Sequence, residues 1–302
     1  MPASPAGFCR TTIGDIEVTF VPDGYICSSP TGSYPGTDDA FWAVNPDHLD
    51  DEGLLVMSLG ALLVRTAGKL LLIDLAWGPG STLIGVAVPD RPQGRVVGGA
   101  LLDNLRLLGV EPGDVDAVLF SHLHRDHTGW IVDPTSPHGE GMPTFANAHH
   151  YLSSAEWEYW SAAAASGVGP APSPEQLAVL SSRLSFLDDG ERVLPGIDVM
   201  ATFGHTPGHL SFVISSGQER AIVLGDAVHC PVEILEPELT FSVDVDPKLA
   251  QRTRLFIEQA LLEPDTVAAA PHFADLIFGR LMRGAGKSSW HFPASQTLTI
   301  AD

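Results

Sequence analysis

The sequence predicts a mixed α/β fold, and three observations carry that expectation. Apolar runs of strand length alternate with helical patterns, Gly and Pro punctuate the joins, and several apolar runs end on a His or an Asp. Residues 16–20 (IEVTF) alternate as a strand does. Residues 31–53, rich in Gly, Pro and Asp, read as a long loop that carries Phe41 and Trp42. Residues 54–66 (LLVMSLGALLVRT) and 69–77 (KLLLIDLAW) read as a hairpin of buried strands joined at Ala67-Gly68. A second Gly/Pro-rich loop is expected over 78–99. Leu101, Leu102, Leu105 and Leu108 share one helical face, and Gly109 ends that helix. The strand DAVLF follows at 116–120.

Three further helices announce themselves at their starts. Ser153 with Glu156 three residues on is a capping-box pattern opening a helix that carries Trp157 and Trp160. Ser173-Pro174 opens another, with Pro in its first turn, after the small-residue stretch SAAAASGVGPAPSP. Asp246-Pro247 opens the third, which runs to about residue 262. No repeat and no interdomain linker is evident, so residues 1–302 are expected to form one domain.

Composition narrows the function. Lys and Arg number 16 against 37 Asp and Glu, a net charge of −21 that argues against nucleic acid as a partner. Hydrophobic residues at 44% exclude an acidic disordered chain. Three Cys without C-x-x-C spacing exclude a disulfide scaffold and a Cys-rich zinc ribbon. The opening MPASPAGFCR has no apolar secretory segment, and no run is long enough to span a membrane. A cytoplasmic location without membrane attachment is therefore expected. Oligomeric state is open, a homodimer included.

The twelve His are not spread evenly. The run VLF leads to Ser121-His122-Leu123-His124-Arg125-Asp126-His127, VMATF to Gly204-His205, AIVLG to Asp226, and VAAAP to His272. Sites in α/β architectures collect beyond the carboxyl ends of strands, so these residues are expected to meet. In an extended segment His122 and His124 point the same way and can grip one cation, with His205 as a third ligand. Asp126 and His127 fall at the following turn and are displaced toward a second position, which His272 would complete. A carboxylate has two oxygens, so Asp226 can bridge two cations. Imidazole and carboxylate donors suit Zn, Fe, Mn or Co.

The His122-x-His124-x-Asp126-His127 string, Gly204-His205-Thr206-Pro207-Gly208-His209, Gly225-Asp226 and Pro271-His272 resemble the metallo-β-lactamase-fold hydrolases. The resemblance implies an αββα sandwich, two mixed β-sheets flanked by helices, with two divalent metal ions, zinc foremost, at one edge. It implies one metal on His122, His124 and His205, the other on Asp126, His127 and His272, and Asp226 between them. Asp226 stands where zinc β-lactamases carry Cys. His124 stands where flavodiiron proteins carry Glu. The spacing is most similar to the N-acyl-homoserine lactonase and methyl-parathion-hydrolase branch.

That branch implies a hydrolase opening a neutral ester or lactone through a hydroxide bridging the metals, with Asp126 holding the hydroxide and passing its proton to the leaving alkoxide. A phosphotriesterase or arylesterase on the same centre is one alternative, and a persulfide dioxygenase with a single iron is another. The lactonases carry Tyr three residues after the bridging Asp, where this chain has His229. Two readings of His229 stand, as donor to a substrate oxygen or as a packed neighbour. Asp74 matches an Asp of the family hairpin that can orient a ligand imidazole, His209 matches the second His of the GHTPGH string, and for both a structural role is the equal alternative. Among the aromatic residues, Trp130 and Phe273 lie nearest the ligands in sequence and are expected to line the substrate pocket.

Overall fold

In the computed structural model the described residues are 1–85, 92–134, 141–166, 170–284, 287–293 and 296–299. Residues 86–91 of the expected second loop and 167–169 of the small-residue stretch lie outside them. Two mixed sheets form the body. The larger contains β1 (Cys9–Ile13), β2 (Ile16–Ser28), β3 (Leu55–Thr66), β4 (Lys69–Ile73), β5 (Gly80–Ile84), β6 (Gly94–Gly98), β7 (Ala117–Leu119), β8 (His149–Leu152) and β9 (Leu184–Phe186). Its order is β5-β6-β2-β3-β4-β7-β8-β9, with β1 added on β2. The pairs from β4 through β9 are parallel, and the others are antiparallel.

The second sheet orders β10 (Arg192–Leu194), β11 (Ile197–Ala201), β12 (Leu210–Ser216), β13 (Glu219–Val223), β14 (Thr266–Ala269), β15 (Phe278–Gly284) and β16 (Lys287–His291) in sequence. Only β13 with β14 is parallel there, and the helix Pro247–Leu261 supplies the crossover that a parallel pair requires.

Burial explains the layering. Val18, Phe20, Leu62, Val64, Leu71 and Ile73 of the larger sheet face Val199, Phe212, Ile214 and Val223 of the second in one core. The outer face of the larger sheet packs on the helices through Leu101, Leu105, Trp160 and Leu180. The outer face of the second sheet packs on Ile257 and Leu261 of the helix Pro247–Leu261. Each sheet is thus buried on both faces, which makes β3 almost continuously apolar rather than alternating. The layers run helix, sheet, sheet, helix.

Three expectations need correction. The segment 78–99 holds β5 and β6, an antiparallel pair whose Gly content masks its alternation. The segment 31–53 holds the helical turns Asp39–Ala43 and Pro46–His48, and Trp42 packs there against Tyr34 with ring centroids 5.5 Å apart. The strand expected at 16–20 continues to Ser28 through a bulge between Pro22 and Gly24. A Cβ at Gly24 would lie 1.8 Å from the Val97 carbonyl oxygen, so only Gly permits the close approach to β6. Beside that bulge the buried Asp23 carboxylate accepts from the backbone N–H groups of Trp77, Gly78, Gly99 and Leu101 and from Trp130 Nε1.

Candidate metal centre

The site lies where the two sheets end together. Beyond β7 the chain bends at Ser121, is extended at His124 and then turns as the short helix Arg125–Thr128. His122 and His124 therefore face one point, and Asp126 and His127 face a second, as their spacing predicts. His205 follows β11, Asp226 sits in the tight turn Gly225–Ala227 after β13, and His272 follows β14. Gly225 adopts φ 53°, and a Cβ there would meet His209 Nε2 at 2.7 Å.

The donors form two groups, His122, His124, His205 and Asp226, and Asp126, His127, Asp226 and His272. Each oxygen of Asp226 faces one of them. Oδ2 lies 3.5 Å from His122 Nε2 and 3.4 Å from His205 Nε2, and the latter is 3.0 Å from His124 Nδ1. Oδ1 lies 3.1 Å from His127 Nε2 and 3.0 Å from His272 Nε2. The Asp126 oxygens stand 3.8 Å from His127 Nε2 and 3.7 Å from His272 Nε2. Asp226 and every imidazole are buried, and Asp126 is partly exposed.

Four of the five outer nitrogens are fixed by other partners, and the fifth, His124 Nε2, is buried without one. His272 Nδ1 donates to the Ser58 carbonyl at 2.8 Å, so its Nε2 presents a lone pair to the Asp226 carboxylate. His205 Nδ1 pairs with Asp244 at 3.0 Å, His127 Nδ1 with Asp74 at 2.9 Å, and His122 Nδ1 with Ser121 Oγ at 3.0 Å. Asp74 also accepts from Ser121 N and Oγ, which gives it the orienting role its match implied. His209 acts one step further back. Its Nε2 accepts from the Asp226 N–H at 3.0 Å while Nδ1 meets Thr202 Oγ1, and burial lowers its pKa to about 3.

These residues fit a pair of cations. A tetrahedral ion with bonds of about 2.0–2.1 Å needs donors about 3.3 Å apart, close to the separations above. His122 Nε2 and Asp226 Oδ1 are buried without a hydrogen-bond partner, as acceptors facing acceptors must be. Burial holds His122, His124 and His205 well below the ordinary histidine pKa, which leaves them as neutral ligands. For His127 burial acts the same way, but the Asp226 and Asp74 carboxylates outweigh it and raise the pKa, so a proton and a cation compete for one lone pair.

A cavity of about 340 Å³ opens over the centre. Ile26, Met57, Trp77, Ile84, Phe241 and Val243 give it apolar walls, and His124, Arg125, Asp126, Asp226, His229 and His272 line its floor and rim. Arg125 lies over the Trp77 ring at 4.6 Å. Trp130 and Phe273 do not line this cavity. Trp130 is tied to Asp23 in the outer core of the larger sheet, and Phe273 packs on Trp290. The walls come instead from the strand residues Ile26, Met57 and Ile84 and from Trp77, Phe241 and Val243 between elements, which no local motif marks.

His229 stacks on Phe241 at 3.6 Å with its Nε2 3.3 Å from Asp226 Oδ2. Its Nδ1 lies 3.4 Å from Glu233, and the Glu233 carboxylate accepts from the His229 N–H. Behind it the fully buried Arg254 guanidinium stands between Glu233 at 3.7 Å and Asp244 at 3.6 Å. Sequence reasoning missed these three ions, because each is an isolated charge in its own segment. Burial pushes the Cys230 thiol up, which disfavours the thiolate in that neighbour of His229.

Fold and donor arrangement together point to one superfamily. Residues 61–272 match the Metallo-beta-lactamase superfamily, and the chain belongs to that superfamily. N-acyl homoserine lactonase AiiA of Bacillus thuringiensis subsp. kurstaki is 25% identical over 150 residues, 50% of this chain and 52% of the relative. N-acyl homoserine lactonase AttM of Agrobacterium fabrum (strain C58 / ATCC 33970) is 30% identical over 145 residues, 45% of this chain and 48% of the relative. The chain thus spans about half the length of these curated relatives.

Solved structures extend the likeness in fold. The structure of AidC, described as a dizinc quorum-quenching lactonase with a product bound, superposes with TM-score 0.79 at 24% identity, covering 96% of this chain and 98% of that one. The hydrolase AbOPH superposes with TM-score 0.74 at 26% identity, covering 98% and 99%. No helix among the described residues is long and apolar enough to cross a membrane.

Proposed function

We propose that this protein is a dinuclear metal-dependent hydrolase of neutral esters or lactones, with a lactone carrying an apolar acyl group as its best substrate. The observation that carries the reading is the shared Asp226, one oxygen toward each donor group, beneath an apolar-walled cavity. His122, His124 and His205 would hold one cation, Asp126, His127 and His272 the other, and zinc is the first choice among Zn, Fe, Mn and Co. When bound, such a pair supplies ionised water near neutral pH and Lewis acidity toward a carbonyl oxygen.

The remaining work falls to the chain. Asp126, the one partly exposed member of its group, accepts the proton of the attacking water and returns it to the leaving oxygen. His229 stands in place of the family Tyr, lines the cavity with Glu233 behind its Nδ1, and donates to a substrate oxygen. Ile26, Met57 and Phe241 desolvate the acyl group. The AiiA and AttM names support lactones, and the AidC description supports zinc.

The test is a panel of lactones, aryl esters and phosphotriesters assayed on zinc-loaded protein, with metal content measured on the same sample. Lactones turned over fastest with about two metals per chain is the expected result. One iron per chain with oxygen uptake on glutathione persulfide would overturn it, and phosphotriesters as best substrates would replace the substrate class.

A further inference from the structure

One buried carboxylate outside both donor groups touches the loops that carry three of the ligands. Glu156 lies in the first turn of the helix Ser154–Ser166, where its spacing from Ser153 predicts a capping box. Half of that box forms, since the Glu156 N–H donates to Ser153 Oγ at 3.1 Å. The carboxylate turns inward to other partners. Oε1 accepts from the Leu123 N–H at 3.0 Å and from Trp160 Nε1 at 2.6 Å. Oε2 accepts from Thr206 Oγ1 at 2.7 Å and from the Gly208 N–H at 3.0 Å.

The positions of those donors matter. Leu123 lies between His122 and His124, and Thr206 directly follows His205. The four donors are neutral dipoles, which together solvate the buried charge without a counter-ion. Trp160, fixed by Oε1, meets the His124 ring edge-on with centroids 4.9 Å apart. Ser153 Oγ in turn donates to the Gly208 carbonyl at 2.7 Å. A Cβ at Gly208 would fall 2.2 Å from both Glu156 N and Ser153 Oγ, so the helix start seats directly on the loop after His205. Among the described residues, no hydrogen bond or ring contact joins Glu156, Trp160, Thr206 or Gly208 to Asp126, His127 or His272.

We propose that Glu156 is a positioning residue that joins the His122–His124 segment to the His205 loop and so sets cation affinity at the three-His position selectively. The inference rests on the reading of that group as a cation site. A glutamine would present one oxygen and one NH2 to four donors, so about half of the bracket would be lost while size and burial were kept. The loosened element would be the spacing between His124 Nδ1 and His205 Nε2, now 3.0 Å.

Cobalt(II) titration of metal-stripped protein, followed by visible absorption and by equilibrium dialysis, provides the test. His122→Ala identifies which of two binding steps belongs to the three-His position. Glu156→Gln is expected to weaken that step about 10–100-fold, the effect usual for a ligand-orienting partner, and to leave the other within about threefold. It should also alter the visible band of that cobalt alone. Thr206→Val removes one of the four donors and should weaken the same step by a smaller factor, which keeps the test available if Glu156→Gln fails to fold. Equal weakening of both steps, or none, would overturn the positioning role. If the unaltered protein bound no cobalt, the metal reading would fail first and this inference with it.

Discussion

The two halves of the candidate centre are built on different principles. Around Asp226 Oδ2 stand three buried imidazoles that burial keeps neutral, backed by Ser121 and Asp244 and bracketed by Glu156. Around Oδ1 stand two imidazoles and Asp126, which is partly exposed and lines the cavity, with Asp74 pressed against His127 from behind. The first half is made of fully buried imidazoles with the Asp244 and Glu156 carboxylates behind them, whereas the second carries a carboxylate, Asp126, at its partly exposed edge. On the proposed function, the difference amounts to a division of labour, in which one half holds geometry and the other meets substrate and protons.

Asp226→Asn attacks both halves at once, because the amide keeps one oxygen acceptor and loses the charge. It should lower lactone turnover by about a thousandfold or more and remove metal from both positions, read by kinetics and elemental analysis of one preparation. Retained turnover would end the shared-carboxylate reading. Asp126→Asn breaks the open half alone. Turnover is expected to fall about a hundredfold while the three-His position keeps its cation, leaving about one metal per chain. Equal loss from both positions would erase the contrast drawn here.

Asp74→Asn makes the finest cut. Asp74 adopts a left-handed backbone with φ 61°, a conformation that Asn tolerates as well, so the change isolates charge from geometry. Affinity at the Asp126–His127–His272 position should weaken about tenfold and the other step, which Asp74 reaches only through Ser121 Oγ and His122, by a smaller factor, measured by metal titration. A larger shift in the three-His step instead would show that the halves are not separable at this carboxylate.

Much of this centre was legible because its chemistry is local in sequence. His122 to His127 form one string, and His205, Asp226 and His272 each follow an apolar run, so strand ends alone foretell their meeting. The hairpin at 54–77 and the helix starts at Ser173 and Asp246 were equally plain, since pattern and capping agree there. What stayed hidden was non-local. Glu156 reads as a cap residue, and its bonds to Leu123 and Thr206 join segments 33 and 50 residues away. Arg254 reads as surface charge on an amphipathic helix, yet it is buried between Glu233 and Asp244. β5 and β6 were hidden for another reason, because Gly supplies no side chain to alternate.

The arrangement of the ligands has a consequence for the stability of the whole chain. His122, His124, Asp126 and His127 hang from β7 of one sheet, whereas His205, Asp226 and His272 hang from β11, β13 and β14 of the other. Ser58 of β3 already stitches that seam, donating to the Phe273 carbonyl and accepting from His272. A cation gripped by either group would act as a cross-link between sheets, binding only when the two are docked. Occupancy at a hundred times the dissociation constant would then contribute about 2.7 kcal/mol to folding. The ions proposed to serve the reaction would also be rivets of the sandwich, and stripping them would loosen the protein as well as silence it.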